Sequence, residues 1–237
     1  AKKMLQTFDS EKCLAPVAIT AVYPAVSKGD DVLLYSDDEH MCELKTLNFL
    51  RQQVQSDTNF CVSDFIRSDH DYMGAFVCSA GVGLNDLVQN FRRAGDEYSA
   101  ILAQTLADRL AEALSEFVHE KVRKEIWGFS KDENLSMEEM FTGKYRGARL
   151  SPGYPACPDH SEKRKLFDIL KVEFVCSLKL TSSFMIDPVS SVCGWIIANP
   201  QSTLFSVGRI GEDQLHDYAS RKGLSIDETQ HCLSTNL

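Results

Sequence analysis

Apolar positions along the chain fall into three regimes. From 17 to 23, VAITAVY is a β-branched run, and DVLLY (31–35) is another. The link between them holds Pro24 and the Gly29-Asp30 turn signal, which predicts a hairpin. MCEL (41–44) reads as a further strand, LKTLNFLRQQV (44–54) as helix, and CVSDFI (61–66) and YMGAFVCSA (72–80) as buried segments. The middle of the chain takes helical spacing. Leu84 to Arg93 is amphipathic and Gly95 stops it. Asp96 caps a long helix reaching about Trp127, with apolar residues at 102, 106, 110, 113, 114, 117, 118 and 122. Arg109, Glu112, Glu116, His119 and Lys121 fall largely outside that stripe. Ser136 and Glu139 form a capping box for a short helix.

RGARLSPGYPACPDH (146–160) cannot be helical, because Pro152, Pro155 and Pro158 hold the residues before them extended. It is a stiff, shaped loop. SEKRKLFDIL (161–170) reads as helix. Then TSSFMI (181–186), SVCGWIIA (191–198) and TLFSVGRI (203–210), separated by DPVS and NPQS, predict a three-strand meander. Two short helices, 212–223 and 225–233, close the chain. Strands, a helical middle and a meander together predict an α+β fold with a mainly antiparallel sheet, and the length allows one large domain or two small ones.

The chain has 237 residues, 43% of them apolar and 25% charged, a globular composition. A net charge of −9 argues against a nucleic-acid surface. No apolar run is long enough to cross a membrane. The eight cysteines are scattered singly, which reads as reduced thiols in a cytoplasmic protein. Cys157 and His160 have CxxH spacing. That spacing could mark a metal site or a thiol nucleophile, but two ligands make no zinc site, and loop packing is the favoured role. SAGVGLND (79–86) matches no phosphate-loop spacing and reads as a turn.

The stiff loop carries the most specific signal. GYPACPDH (153–160), preceded by RGAR (146–149), resembles the activation domain of cobalamin-dependent methionine synthase. ADRLAEALSEFVHEKVRKEIWGFS (107–130), LTSSFMIDPVSSVCGWIIANP (180–200) and SVGRIGEDQLHDYASRKGLS (206–225) are similar to the same family, so the likeness covers nearly the whole chain. The resemblance implies a single domain over 1–237 with a bent, mainly antiparallel sheet flanked by helices. It implies a shallow groove for S-adenosylmethionine and a role in reductive methylation of oxidised cobalamin held by a neighbouring domain. A flavoprotein would supply the electron. The family's enzyme makes methionine; the isolated domain is expected to be a monomer and to catalyse no full reaction. The alternative is a stand-alone module acting in trans on another corrinoid protein.

The resemblance also implies roles. Arg149 matches the arginine that binds the ligand carboxylate, a task suited to a bidentate guanidinium. Tyr154 matches a tyrosine near the methyl group, where an aromatic face suits a sulfonium. Ser151 falls where main-chain polar atoms are used. Phe205 keeps one of two aromatics that hold the nucleoside, whereas Leu204 replaces the other. Glu112 matches an acid near the positive end of the ligand, and Asp108 an acid at the corrinoid-domain contact. Gly143 stands where some members have an acid. Members carry an N-terminal extension with a ligand-binding aspartate. The sequence begins after that segment, so binding roughly ten- to a hundred-fold weaker is expected.

Overall fold

The computed structural model describes residues 1–54 and 57–237. Six strands form one antiparallel sheet, in the order β3 (Glu43–Asn48), β2 (Asp31–Tyr35), β1 (Val17–Lys28), β4 (Asp71–Ser79), β8 (Ser191–Ile197), β5 (Ala148–Leu150). β1 (Val17–Lys28) runs straight through Pro24, so the turn into β2 (Asp31–Tyr35) is only Gly29-Asp30. β1 pairs with β4 (Asp71–Ser79) from Val17 to Ala25 and with β2 from Ala25 to Lys28. β8 (Ser191–Ile197) pairs with β4 on one side and with β5 (Ala148–Leu150) on the other.

Strand alternation sorts β4 into two cores. Met73, Ala75 and Val77 face one side, where Leu166 and Phe167 of α5 (Glu162–Ile169) join them. Phe76 and Cys78 face the other, against Val118 and Val122. That second side is covered by α3 (Glu97–Lys121), which continues as a π-turn over Val122–Ile126. The Asp96 carboxylate caps α3 by accepting from the Ser99 amide at 2.9 Å. α1 (Lys2–Glu11) and α2 (Leu84–Arg93) pack on the start of α3, while α4 (Met137–Phe141) carries the Ser136–Glu139 capping box. α6 (Val172–Val175) leads into a two-strand ribbon of β6 (Lys179–Leu180) and β7 (Ile186–Asp187). α7 (Glu212–Lys222) and α8 (Ile226–Cys232) enclose a third core around Leu215, Tyr218 and Leu233. Among the described residues no helix is long and apolar enough to span a membrane.

Several expectations are corrected. Residues 44–54 are not helical; β3 spans Glu43–Asn48 and Leu47 to Leu50 are buried consecutively. Residues 61–66 hold a short 3-10 turn, Val62–Phe65. The three-strand meander does not form. β5 already occupies the edge of β8 that 203–210 would need, and that segment is instead tied to the loop by the Val207 amide donating to the Pro155 carbonyl at 2.9 Å. The buried face of α3 is also offset from the leucine stripe. It consists of Ala100, Ala103, Ala107, Ala111, Ser115, Val118 and His119, small residues for the most part, which let the helix approach the sheet closely. Phe117, by contrast, is exposed.

Candidate functional site

Arg149 sits at the centre of β5, opposite Ile196, so its side chain leaves the sheet towards α3 while Ala148 and Leu150 turn into the core. It is largely buried. One guanidinium nitrogen, Nη2, donates to the Glu116 carboxylate on α3 at 2.5 Å. The guanidinium carbon lies 5.9 Å from the centre of the Phe76 ring. The other nitrogen, Nη1, is buried without a hydrogen-bond partner among the described residues.

Past β5 the chain turns sharply. Gly153 takes φ 95°, open to glycine and strained for other residues. Its amide donates to the Cys157 carbonyl at 2.7 Å, and the Cys157 amide donates to the Tyr154 carbonyl at 2.9 Å. This closed turn holds Tyr154 out with 59% of its surface exposed. Beneath it, the His160 ring lies so close to Gly153 that a Cβ there would stand 2.3 Å from Cε1. Gly194 on β8 likewise admits the Leu150 carbonyl and the Ser151 hydroxyl.

The Phe205 ring lies tilted against those of Phe60 and Phe65, at centroid distances of 6.2 and 6.4 Å. Glu112 lies one turn before Glu116 on the same face of α3. Arg149, Ser151, Tyr154, Phe205 and Glu112 therefore meet along one groove of about 310 Å³, with Leu204 at its edge. A second lobe of about 280 Å³ shares Glu112, Ser151 and Tyr154 with it. Asp108 stays outside both lobes. Its carboxylate accepts from the Ser190 hydroxyl at 2.6 Å and lines an adjoining hollow with Glu112.

Two residues behind the groove escaped the sequence reading. Glu116 anchors Arg149, and its i+4 spacing from Glu112 was the signal that could have found it. His119 is fully buried, with both ring nitrogens unpartnered among the described residues and its ring edge-on to Tyr145 at 4.7 Å. Burial, reinforced by the Arg123 and Arg149 guanidiniums, depresses its pKa to about 2, so it is neutral. The expectation that His119 lies off the buried face is thus overturned. Cys157 is buried, and burial pushes its thiol well above the usual range, which removes it as a nucleophile. His160 packs under Gly153, and its Nδ1 hydrogen-bonds Lys163 on α5 at 2.7 Å. Four of the eight cysteines are buried, and all are free thiols. Among the described residues no three His, Cys, Asp or Glu side chains gather as a metal site.

Over residues 1–223 the chain matches the family model described as "Vitamin B12 dependent methionine synthase, activation domain". Among solved structures it is similar to the MetH reactivation domain bound to AdoHcy, with a TM-score of 0.97 and 40% sequence identity. That alignment covers 100% of this chain and 74% of the other. The chain therefore belongs to the activation-domain family of vitamin B12-dependent methionine synthase.

Proposed function

We propose that residues 1–237 form one activation domain whose groove binds S-adenosylmethionine and presents its methyl group to cobalamin on a neighbouring domain, during reactivation of methionine synthase. The observation that carries this reading is Arg149: a buried guanidinium fixed on one side by Glu116, with Nη1 unpartnered among the described residues at the wall of a groove. A ligand carboxylate satisfies that nitrogen and removes the cost of an orphaned buried donor.

The rest of the groove fits the same ligand. The exposed Tyr154 face suits the sulfonium, which aromatic quadrupoles attract. Phe205, braced by Phe60 and Phe65, offers an apolar face for the nucleoside. Glu112 offsets positive charge on the amino-acid end, and Ser151 contributes polar atoms where β5 ends. Asp108, at the flank, is the contact for the corrinoid domain. Cobalamin supplies the nucleophile that accepts the methyl group. This chain's part is alignment, which needs no general acid or base. In this reading the chain acts within the methyltransferase, as a cytoplasmic protein that is monomeric by itself, and a flavoprotein supplies the electron.

Calorimetric titration of S-adenosylmethionine into the protein tests the reading. Saturable one-to-one binding, displaced by S-adenosylhomocysteine, is the expected result. A folded protein that takes up neither would contradict it.

A further inference from the structure

The charge on Arg149 is engaged before any ligand arrives. Nη2 donates to the Glu116 carboxylate at 2.5 Å, and the two side chains are only 14% and 23% exposed, so water screens the pair poorly. Glu116 does not line the groove. It stands behind the guanidinium, one turn along α3 from Glu112. Arg149 and Glu112 are the charged residues that line the first lobe among the described residues, and Glu112 enters no ion pair with any of them. Around Arg149 the lobe is therefore framed by one guanidinium and two carboxylates, an excess of negative charge. Lys163, which lines the second lobe, does not line the first.

That excess separates two ligands that differ by one charge. S-adenosylmethionine carries a carboxylate, an ammonium and a sulfonium. When its methyl group passes to the nucleophile on cobalamin, the S–CH3 bond breaks, the bonding pair stays on sulfur, and the sulfonium becomes a neutral thioether. The donor is thus a net cation, and S-adenosylhomocysteine is net neutral. Both set a carboxylate against Nη1, across the guanidinium from Glu116, so that two like charges share one cation. In the donor the sulfonium offsets that repulsion; the product has lost it.

We propose that Glu116 determines the preference of the groove for the methyl donor over the demethylated product. It fixes the plane of Arg149 and, by offsetting the guanidinium charge, weakens the hold on S-adenosylhomocysteine, so the product leaves and the groove is free for another donor. The inference rests on the proposed function, with the ligand carboxylate on Arg149. Glu116 touches no ligand atom in this arrangement and acts through Arg149 as a positioning residue. Glu112 is exposed, so solvent and salt screen it more strongly and it discriminates less.

Glu116→Gln tests this, because it keeps an acceptor for Nη2 and removes the charge. S-adenosylmethionine, S-adenosylhomocysteine and 5′-methylthioadenosine, which lacks the amino-acid end, are titrated calorimetrically into wild type, Glu116→Gln and Glu116→Ala. Wild type should bind S-adenosylmethionine about tenfold more tightly than S-adenosylhomocysteine. Glu116→Gln should bind S-adenosylhomocysteine about fivefold more tightly than wild type does, with S-adenosylmethionine within about twofold, so that the preference nearly closes. Glu116→Ala, which frees the guanidinium to swing, should weaken both amino-acid ligands about tenfold. The affinity for 5′-methylthioadenosine should stay within about twofold throughout. A preference left at its wild-type value in Glu116→Gln would overturn the proposal, because Glu116 would then only hold the arginine in place. So would a wild type that binds donor and product equally. Loss of 5′-methylthioadenosine binding in Glu116→Gln would also overturn it, by making Glu116 part of the fold of the groove. A wild type that takes up neither amino-acid ligand would instead overturn the first-lobe reading, and this inference with it.

Discussion

Replacing Gly153 by alanine should destabilise the protein through two separable effects. The backbone stands at φ 95°, and forcing an L-residue into left-handed space costs about 1–2 kcal/mol. The new Cβ would also meet the His160 ring at 2.3, 2.6 and 2.7 Å. That ring is not free to slide away, because Nδ1 is engaged by Lys163 at 2.7 Å. Overpacking of this kind costs about 1–3 kcal/mol. The total, about 2–5 kcal/mol, corresponds to a fall in Tm of roughly 5–15 °C for a chain of this size. Gly143→Ala is the control. Gly143 has φ 71°, and a methyl added there would meet nothing within 4 Å, so only the backbone effect applies. Scanning calorimetry of both variants, repeated in a His160→Ala background, separates the parts. The steric share should vanish once the ring is gone. Equal Tm losses at 143 and 153, unaltered by His160→Ala, would refute the claim that His160 buttresses the Tyr154 turn.

Other consequences are sharper for being local. His119 is neutral when folded, with a pKa of about 2 against an ordinary value of 6.5, so the unfolded chain binds the extra proton as pH falls. Stability contributed by this group is intact above an unfolded pKa of about 6.5 and declines by about 1.4 kcal/mol per pH unit below it; urea titrations from about pH 7 to 5 should show that slope reduced in His119→Phe. Lys222 holds the buried Asp159 and Glu162, reaching Glu162 at 2.7 Å. Lys222→Met should cost about 3–5 kcal/mol by leaving buried Asp159 without its cation and Glu162 with Lys165 alone, read as a lower urea midpoint. A loss under about 1 kcal/mol would mean the neighbouring Lys165 takes over.

Much of the helical middle was legible because its signals are local. Asp96, Gly95, Ser136 and Glu139 act within one turn of where they sit, and the long helix and short capped helix begin where these residues place them. The proline-rich loop was legible for the same reason. β3 was not, because Leu44, Leu47 and Leu50 have a spacing that mimics one helix face, while the structure buries Leu47 by pairing with Val32 across the sheet. Residues 203–210 look like a strand from composition; whether they pair depends on β5 having taken the edge of β8, a long-range fact. At the groove, the ligand-binding residues named from the family likeness converge while Asp108 stays outside both lobes, but Glu116 did not stand out. Its importance comes from an arginine 33 positions away.

The central claim is that Arg149 reads a ligand carboxylate in this groove. The most direct test is calorimetric titration of wild type and Arg149→Ala with two ligands: S-adenosylmethionine and 5′-methylthioadenosine, which keeps the nucleoside but lacks the amino-acid end. Losing charge-assisted hydrogen bonds costs roughly 1.5–3 kcal/mol, so S-adenosylmethionine should bind the variant about ten- to a hundred-fold more weakly. The affinity for 5′-methylthioadenosine should stay within about twofold. If Arg149→Ala binds S-adenosylmethionine as tightly as wild type, or loses both ligands equally, Arg149 does not recognise the carboxylate.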